Sequence, residues 1–151
     1  MDVISSKIVK ARKEHTCGYC NQSIHPGELY HRQFITNGAD HYEWLSHMKC
    51  NFLANYLWYY IGPIEGMTSE EFIEGCRQFK NQFVCEECTE YHNCNRHETC
   101  MDQIYAFGLR HSLKYTKFGA FWTWKCIPLD ITTAYLNKQR AEGKQSYNNK
   151  G

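Results

Sequence analysis

Two pairs of closely spaced residues, one of two cysteines and one of a histidine and a cysteine, constrain the fold of this chain more than any other feature of its sequence. Cys17 and Cys20 are separated by two residues, and so are His47 and Cys50. The first pair fits a tight turn, which Gly18 allows to curl, and the second fits the opening of a helix, where positions i and i+3 share a face. Three thiols and one imidazole presented in this way predict a tetrahedral, structural zinc site with no open coordination position.

A cysteine-rich segment in the second half of the chain predicts a second structural zinc ion. Its four thiols are spaced by two, five and five residues, and the predicted ligands are Cys85, Cys88, Cys94 and Cys100. His97 competes with Cys94, because His97 and Cys100 repeat the His-x2-Cys order of the first site, and His92 is a third alternative. A redox pair at Cys85 and Cys88 is disfavoured, because no βαβ pattern of the thioredoxin type surrounds it.

The remaining cysteines and the amino terminus bear on the compartment in which the protein works. The chain has nine cysteines, and an odd number argues against a closed disulfide framework. Cys76 falls on the apolar stripe of a predicted helix and is expected to be a small buried side chain, with a metal role as the alternative; Cys126 is also expected in the core. From the opening residues Met1-Asp2-Val3 we expect no signal peptide, and no stretch approaches the roughly 18 apolar residues of a membrane span. We expect a reducing cytoplasm and no membrane partner.

Turn, strand and helix signals predict a small α+β domain with short β-hairpins and three to four helices. Strands are expected over 29–35 and 41–45, around a Thr36-Asn37-Gly38 turn, and again over the aromatic-rich segment 113–126. Helices are expected over 47–61, from the capping box at Thr68 to residue 83, over 97–107 and over 130–144.

Three units along the chain follow from these elements. They are a finger unit over 1–64, a second zinc unit with the aromatic hairpin over 65–130, and a C-terminal helix and tail over 131–151. Residues 1–14 are expected to form only a short basic lead-in to the finger unit.

Charge is distributed unevenly along the chain. The net charge is +1 over residues 1–64, −6 over 65–102 and +6 over 103–151, which leaves +1 for the whole chain. Thiolate-bound zinc makes the total slightly negative, so any nucleic-acid binding must use a local patch rather than a general basic field. The candidate contacts combine lysines with rings, a mixture suited to phosphates and stacked bases: Lys114, Tyr115, Lys117, Trp122 and Lys125.

The same aromatic segment has a simpler interpretation as part of the core. Phe118, Trp122 and Trp124 are all even-numbered, and residues of one parity point to one face of a strand. If they point inward together, these rings form one core face and do not contact a ligand.

The sequence disfavours two classes of zinc enzyme. A zinc deaminase needs His-x-Glu followed by Pro-Cys-x-x-Cys, and this chain has His41-Tyr42-Glu43 but Val84 where proline is expected. A metal-dependent nuclease would need a histidine base beside a catalytic metal, but His47 is better used at the structural site. No phosphate loop, dinucleotide turn or nucleophile elbow is present, and no small-molecule substrate is evident.

The segment from Ala11 to Cys50 resembles a treble-clef zinc finger of the poly(ADP-ribose) polymerase and DNA ligase III type. The matching residues are Cys17, Cys20, Ile24, Gly27, His47 and Cys50. That family recognises DNA breaks, so the resemblance implies DNA as a partner. The whole chain also resembles small zinc-binding proteins of bacteriophages and prophages, which implies expression in the cytoplasm of a bacterial host.

Two functions of different classes remain open from the sequence. The closed metal sites, near-neutral charge and divided surface favour a phage-type protein that binds a host protein as a regulator or inhibitor. The alternative is a DNA-binding zinc-finger protein that uses the aromatic segment 114–125 together with Lys7, Lys10, Arg12 and Lys13.

Overall fold

A three-stranded antiparallel sheet, two short β-hairpins and five helices make up the α+β fold of the described residues. The structure is a computed structural model and describes residues 2–36, 38–64, 66–85 and 101–143. The strands are β1 (Asp2–Lys10), β2 (His15–Thr16), β3 (Ser23–Ile24), β4 (Leu29–Thr36), β5 (His41–His47), β6 (His111–Phe118) and β7 (Phe121–Pro128). The helices are α1 (Met48–Tyr56), α2 (Trp58–Ile61), α3 (Ser69–Phe79), α4 (Met101–Arg110) and α5 (Ile131–Ala141), with a π-helical segment over Lys80–Val84.

The main sheet has the order β1-β4-β5, and its first strand was not predicted. The expected basic lead-in over residues 1–14 is instead largely β1, which pairs antiparallel with β4 from Lys10 opposite Leu29 to Asp2 opposite Thr36. The apolar residues of this strand are Val3, Ile4, Ile8 and Val9, and the basic residues Lys7 and Lys10 flank the second pair. The predicted strands over 29–35 and 41–45 are confirmed, and each is slightly longer than expected.

The helices that follow begin and end where local chemistry requires. The helix predicted over 47–61 is divided at Leu57 into α1 and α2, and α2 ends at Gly62, whose φ of 67° places it in the left-handed region. The capping box of α3 is confirmed: Thr68 Oγ1 accepts a hydrogen bond from the Glu71 backbone N–H, and the Glu71 carboxylate accepts one from the Thr68 N–H.

An aromatic core joins the finger region to the later helices. Phe79 is fully buried and its ring lies edge-on to Tyr56, Tyr60 and Phe107, at centroid distances between 5.6 and 5.9 Å. Phe72 is also fully buried and contacts Tyr19, which lies in the turn over residues 17–20 that we call the knuckle. Because α3 packs directly against the knuckle in this way, the core and the candidate metal centre support each other.

The last elements are the β6–β7 hairpin and α5. Gly119 has a φ of 63° and lies in the two-residue turn that joins Phe118 to Phe121. Asp130 caps α5 by accepting a hydrogen bond from the Thr133 N–H at 2.8 Å. Among the described residues, no helix has the length and apolar composition that crossing a membrane would require.

Candidate metal centre

The first ligand pair lies on a small hairpin between β2 and β3. The Cys17 carbonyl accepts a hydrogen bond from the Asn21 N–H at 3.0 Å, and the Cys17 N–H donates to the Gln22 carbonyl at 2.9 Å. Asn21, with a φ of 62°, takes the left-handed conformation that closes the turn. These bonds curl the backbone so that both sulfurs face the same point.

Gly18 is required for a different reason from the one the sequence suggested. Its φ is not positive, so the turn does not need its conformational freedom. A Cβ atom at this position would lie only 2.7 Å from the indole ring of Trp44. The Gly18 N–H also donates to the Leu45 carbonyl at 2.7 Å, so the knuckle is held tightly against β5.

The second ligand pair lies where β5 passes into α1, as predicted. His47 ends the strand and stands at the N-cap position of α1, where its side chain makes no capping hydrogen bond, and Cys50 lies in the first turn of the helix. His47 Nε2 donates a hydrogen bond to the Ser23 carbonyl at 2.9 Å. This bond fixes the tautomer and directs the Nδ1 lone pair at the cysteine sulfurs, which is the arrangement usual for metal-bound histidine.

The four side chains fit a tetrahedral metal ion. Their ligand atoms all lie within 4.8 Å of one another. His47 Nδ1 is 3.3 Å from Cys20 Sγ and 3.7 Å from Cys50 Sγ. A tetrahedral zinc ion with ordinary Zn–S and Zn–N bond lengths requires about 3.6 Å between such atoms. Cys17, Cys20, His47 and Cys50 therefore form a group that can hold a metal ion such as zinc.

The electrostatics of this group favour a cation at its centre. Hydrogen bonds from Cys20 and Cys50 lower the pKa of the Cys17 thiol, while Cys17 and Cys20 raise the pKa of Cys50. The sulfurs of Cys17 and Cys20 raise the pKa of His47 to about 10. Cys17 and Cys50 are also buried, so water cannot screen the negative charge that develops there. A metal ion relieves this charge and displaces protons as it binds.

The second predicted zinc site falls almost entirely outside the described residues. Cys88, Cys94, Cys100 and the alternatives His92 and His97 are not among them. Cys85 is described, and it lies half-buried directly after the π-helical segment. A second zinc ion therefore stays a prediction.

The two cysteines expected in the core differ in burial. Cys76 lies on α3, is 2% exposed, and packs in the hydrophobic core, as its position on the apolar stripe predicted. Burial, with a smaller effect of the nearby Cys20, raises the pKa of its thiol to about 12. Cys126 is only half-buried and packs against the edge of the core.

The predicted contact residues all lie on the β6–β7 hairpin, which we call the aromatic ribbon (His111–Pro128). Tyr115 lies opposite Trp124 and Lys117 opposite Trp122, so these four side chains share one face. Phe118 lies opposite Phe121 and therefore belongs to the other face. The expectation that Phe118, Trp122 and Trp124 form one core face is wrong, because the two-residue turn reverses the parity and because Phe118 and Trp122 are exposed.

Sequence reasoning missed the residues that orient the ligands. The Ser23 carbonyl accepts the hydrogen bond of His47 Nε2 from 24 positions away, and the Trp44 ring lies against Gly18 across 26 positions. Neither has a local signal, because any residue offers a carbonyl and a tryptophan in a strand is ordinary. No protein-family model, curated protein or solved structure matches this chain.

Proposed function

We propose that this protein is a zinc-finger protein that binds single-stranded nucleic acid through the aromatic ribbon. The main support for this proposal is the pair of exposed, stacked rings of Tyr115 and Trp122, whose centroids are 5.6 Å apart with an interplanar angle of 21°. Exposed rings on a paired hairpin offer a platform on which successive bases can stack, whatever their identity.

The ribbon packs against the core through Trp124 and leaves the rings of Tyr115 and Trp122 exposed. Trp124 contacts Tyr115 at a centroid distance of 4.9 Å and Tyr60 of α2 at 5.7 Å. Tyr60 in turn packs on Phe79 in the core. This chain of ring contacts orients Tyr115 and Trp122, which lowers the entropy lost when a ligand stacks on them.

Charge on the ribbon also fits an anionic strand. The ribbon contains three lysines and no aspartate or glutamate. Lys114 and Lys125 lie directly opposite each other, an arrangement that destabilises a hairpin unless an anion lies between the two charges. Lys117 lies beside Trp122 on the stacking face, so phosphates can be contacted from both faces of the ribbon.

A matched pair of tyrosines tests the stacking. Tyr115 is 53% exposed, and Tyr135 on α5 is 59% exposed. Tyr115→Ala should weaken binding of a fluorescent single-stranded oligonucleotide by roughly ten- to a hundredfold, measured by anisotropy, because stacking contributes about 1–3 kcal/mol per base. Tyr135→Ala should bind as the wild type does. Equal effects of the two substitutions would contradict the proposal.

The lysines are tested by salt dependence. Replacing Lys114, Lys117 and Lys125 by alanine should reduce the slope of log affinity against log salt by about 2, since each phosphate contact on a single strand contributes about 0.7. Lys138→Ala, on the exposed side of α5, is the control and should leave the slope unchanged. Preference for duplex or nicked DNA over single strands would instead favour a break-recognising finger.

The finger itself we propose to be a treble clef that holds zinc. This is supported by a knuckle between β2 and β3, by the β4–β5 hairpin, and by the second ligand pair at the start of α1. A second zinc ion at Cys85, Cys88, Cys94 and Cys100 belongs to the same proposal. Chelation should unfold the finger, which circular dichroism would detect.

Regulation of a host protein, as in the phage-type likeness, is a second candidate. It is favoured by the exposed apolar side chains of Ile131, Tyr135 and Leu136 on α5. Ile131→Ser and Leu136→Ser together should abolish capture of a specific bacterial protein that the wild type retains. If the doubly substituted protein captures that partner equally well, α5 is not the docking surface.

A further inference from the structure

A cleft of two chambers runs between the main sheet and α1, and none of the described metal ligands lines it. Its floor is one face of the sheet, formed in β4 by the alternating residues His31, Gln33 and Ile35. On the other side α1 contributes Asn51 and Asn55, which are four positions apart and so share a helix face. These two asparagines line both chambers, so the chambers are neighbours along α1.

The larger chamber is aromatic and uncharged. It has a volume of about 480 Å³, within the range of small-molecule sites. Five rings line it: Tyr19, Tyr42, Trp44, Trp58 and Tyr59. Three carboxamides, those of Gln33, Asn51 and Asn55, line it as well, and no described lining residue carries a charge. Rings that stack and carboxamides that both donate and accept hydrogen bonds are suited to the faces and edges of a nucleobase.

The smaller chamber is polar and carries one positive charge. It has a volume of about 310 Å³, and Asn137 and Arg140 of α5 line one side of it. Arg140 is the one charged residue among its described lining residues, and it takes part in none of the ion pairs between described residues. His31 Nε2 and Ser6 Oγ share a hydrogen bond of 2.9 Å, while His31 Nδ1 is buried without a hydrogen-bond partner among the described residues. Arginine and amide donors in this arrangement suit a phosphate.

We infer that this cleft binds a mononucleotide unit, with the heterocyclic base in the aromatic chamber and its phosphate against Arg140 in the polar chamber. The inference goes beyond the proposed function, because the cleft and the aromatic ribbon share no residue. The unit can come from a free nucleotide or from one nucleotide of a strand, since both present the same base and phosphate.

Calorimetry on the zinc-loaded full chain tests this, with the four nucleoside 5′-monophosphates, their nucleosides and inorganic phosphate as probes. A monophosphate should bind roughly ten- to a hundredfold more tightly than its nucleoside, because the phosphate gains charge-assisted hydrogen bonds. Arg140→Gln should remove that difference and leave nucleoside affinity unchanged. Lys138→Gln, a charge-matched change on the same helix, should have no effect.

A second variant tests the base chamber without disturbing the fold. Tyr59 is 83% exposed, so Tyr59→Ala should fold normally while weakening the binding of nucleosides and monophosphates alike by roughly tenfold. If Tyr59→Ala also weakens single-stranded oligonucleotide binding, the unit belongs to a strand; if it does not, the ligand is a free nucleotide. Either result supports the site.

The ribbon variant Tyr115→Ala separates this inference from the proposed function, because it should leave mononucleotide binding intact. The inference would be overturned if no monophosphate binds up to millimolar concentration. It would also be overturned if Arg140→Gln and Tyr59→Ala both leave mononucleotide affinity unchanged.

Discussion

Replacing Gly18 by alanine should loosen the knuckle that carries two of the four metal ligands. The added Cβ would lie 2.7, 2.8 and 3.0 Å from Cζ2, Cε2 and Cη2 of Trp44. Carbon atoms in contact prefer about 3.5–4.0 Å, so either the indole or the knuckle must move by roughly 0.5–1 Å.

Neither the indole ring nor the knuckle can move without weakening a contact that holds it. Trp44 is packed edge-on against Tyr19 at 5.2 Å, and the Gly18 N–H bonds the knuckle to the Leu45 carbonyl. We therefore expect Gly18→Ala to lower the free energy of unfolding by about 1–3 kcal/mol, the usual cost of overpacking. Because the same shift displaces Cys17 and Cys20, zinc affinity should fall by roughly five- to a hundredfold.

A double-mutant cycle with Trp44→Leu is the assay, using urea unfolding and competition with a zinc chelator. The smaller side chain removes the clash, so the two substitutions should show a favourable coupling of about 0.5–3 kcal/mol. Gly27→Ala is the control: its cost comes from a φ of 92° in open space, and Trp44→Leu should not recover it. Additive effects of Gly18→Ala and Trp44→Leu would refute the reasoning.

Two further predictions concern Asp130 and Cys76. Hydrogen bonds from the Thr133 N–H and hydroxyl lower the pKa of the Asp130 carboxyl, so its cap stabilises the fold fully above about pH 4 and is lost as pH falls through the lowered pKa. The difference in Tm between wild type and Asp130→Ala should therefore shrink from about pH 6 to about pH 3; a constant difference would contradict the cap. Cys76, buried and with its pKa raised to about 12, should react with iodoacetamide near pH 8 only after unfolding, as peptide mass spectrometry would show. Labelling of Cys76 in the folded protein at the rate of the unfolded chain would contradict its burial.

The features predicted correctly from the sequence depend on residues close together in the chain. The two ligand pairs, the capping box of Thr68 and Glu71, and the stop at Gly62 each need only a few neighbouring residues. Their chemistry is local, so the spacing of residue types carries the information.

The features that were missed depend on pairing between distant segments. The sequence indicates only a basic lead-in where β1 forms, because its partner β4 begins 19 positions after Lys10. The assignment of Phe118 to the core failed because the turn at Gly119 decides which residues of the ribbon share a face. The cleft brings together β4, β5, α1, α2 and α5, and no short motif signals such an assembly.

The metal content of purified protein tests the central claim most directly. Zinc per chain, measured by mass spectrometry of the intact protein under native conditions, should be one ion lower in Cys17→Ala than in wild type. Cys76→Ala is the control and should keep the wild-type content, because Cys76 lies in the core and outside the ligand group. If Cys17→Ala binds as much zinc as the wild type, the four residues Cys17, Cys20, His47 and Cys50 are not a metal centre.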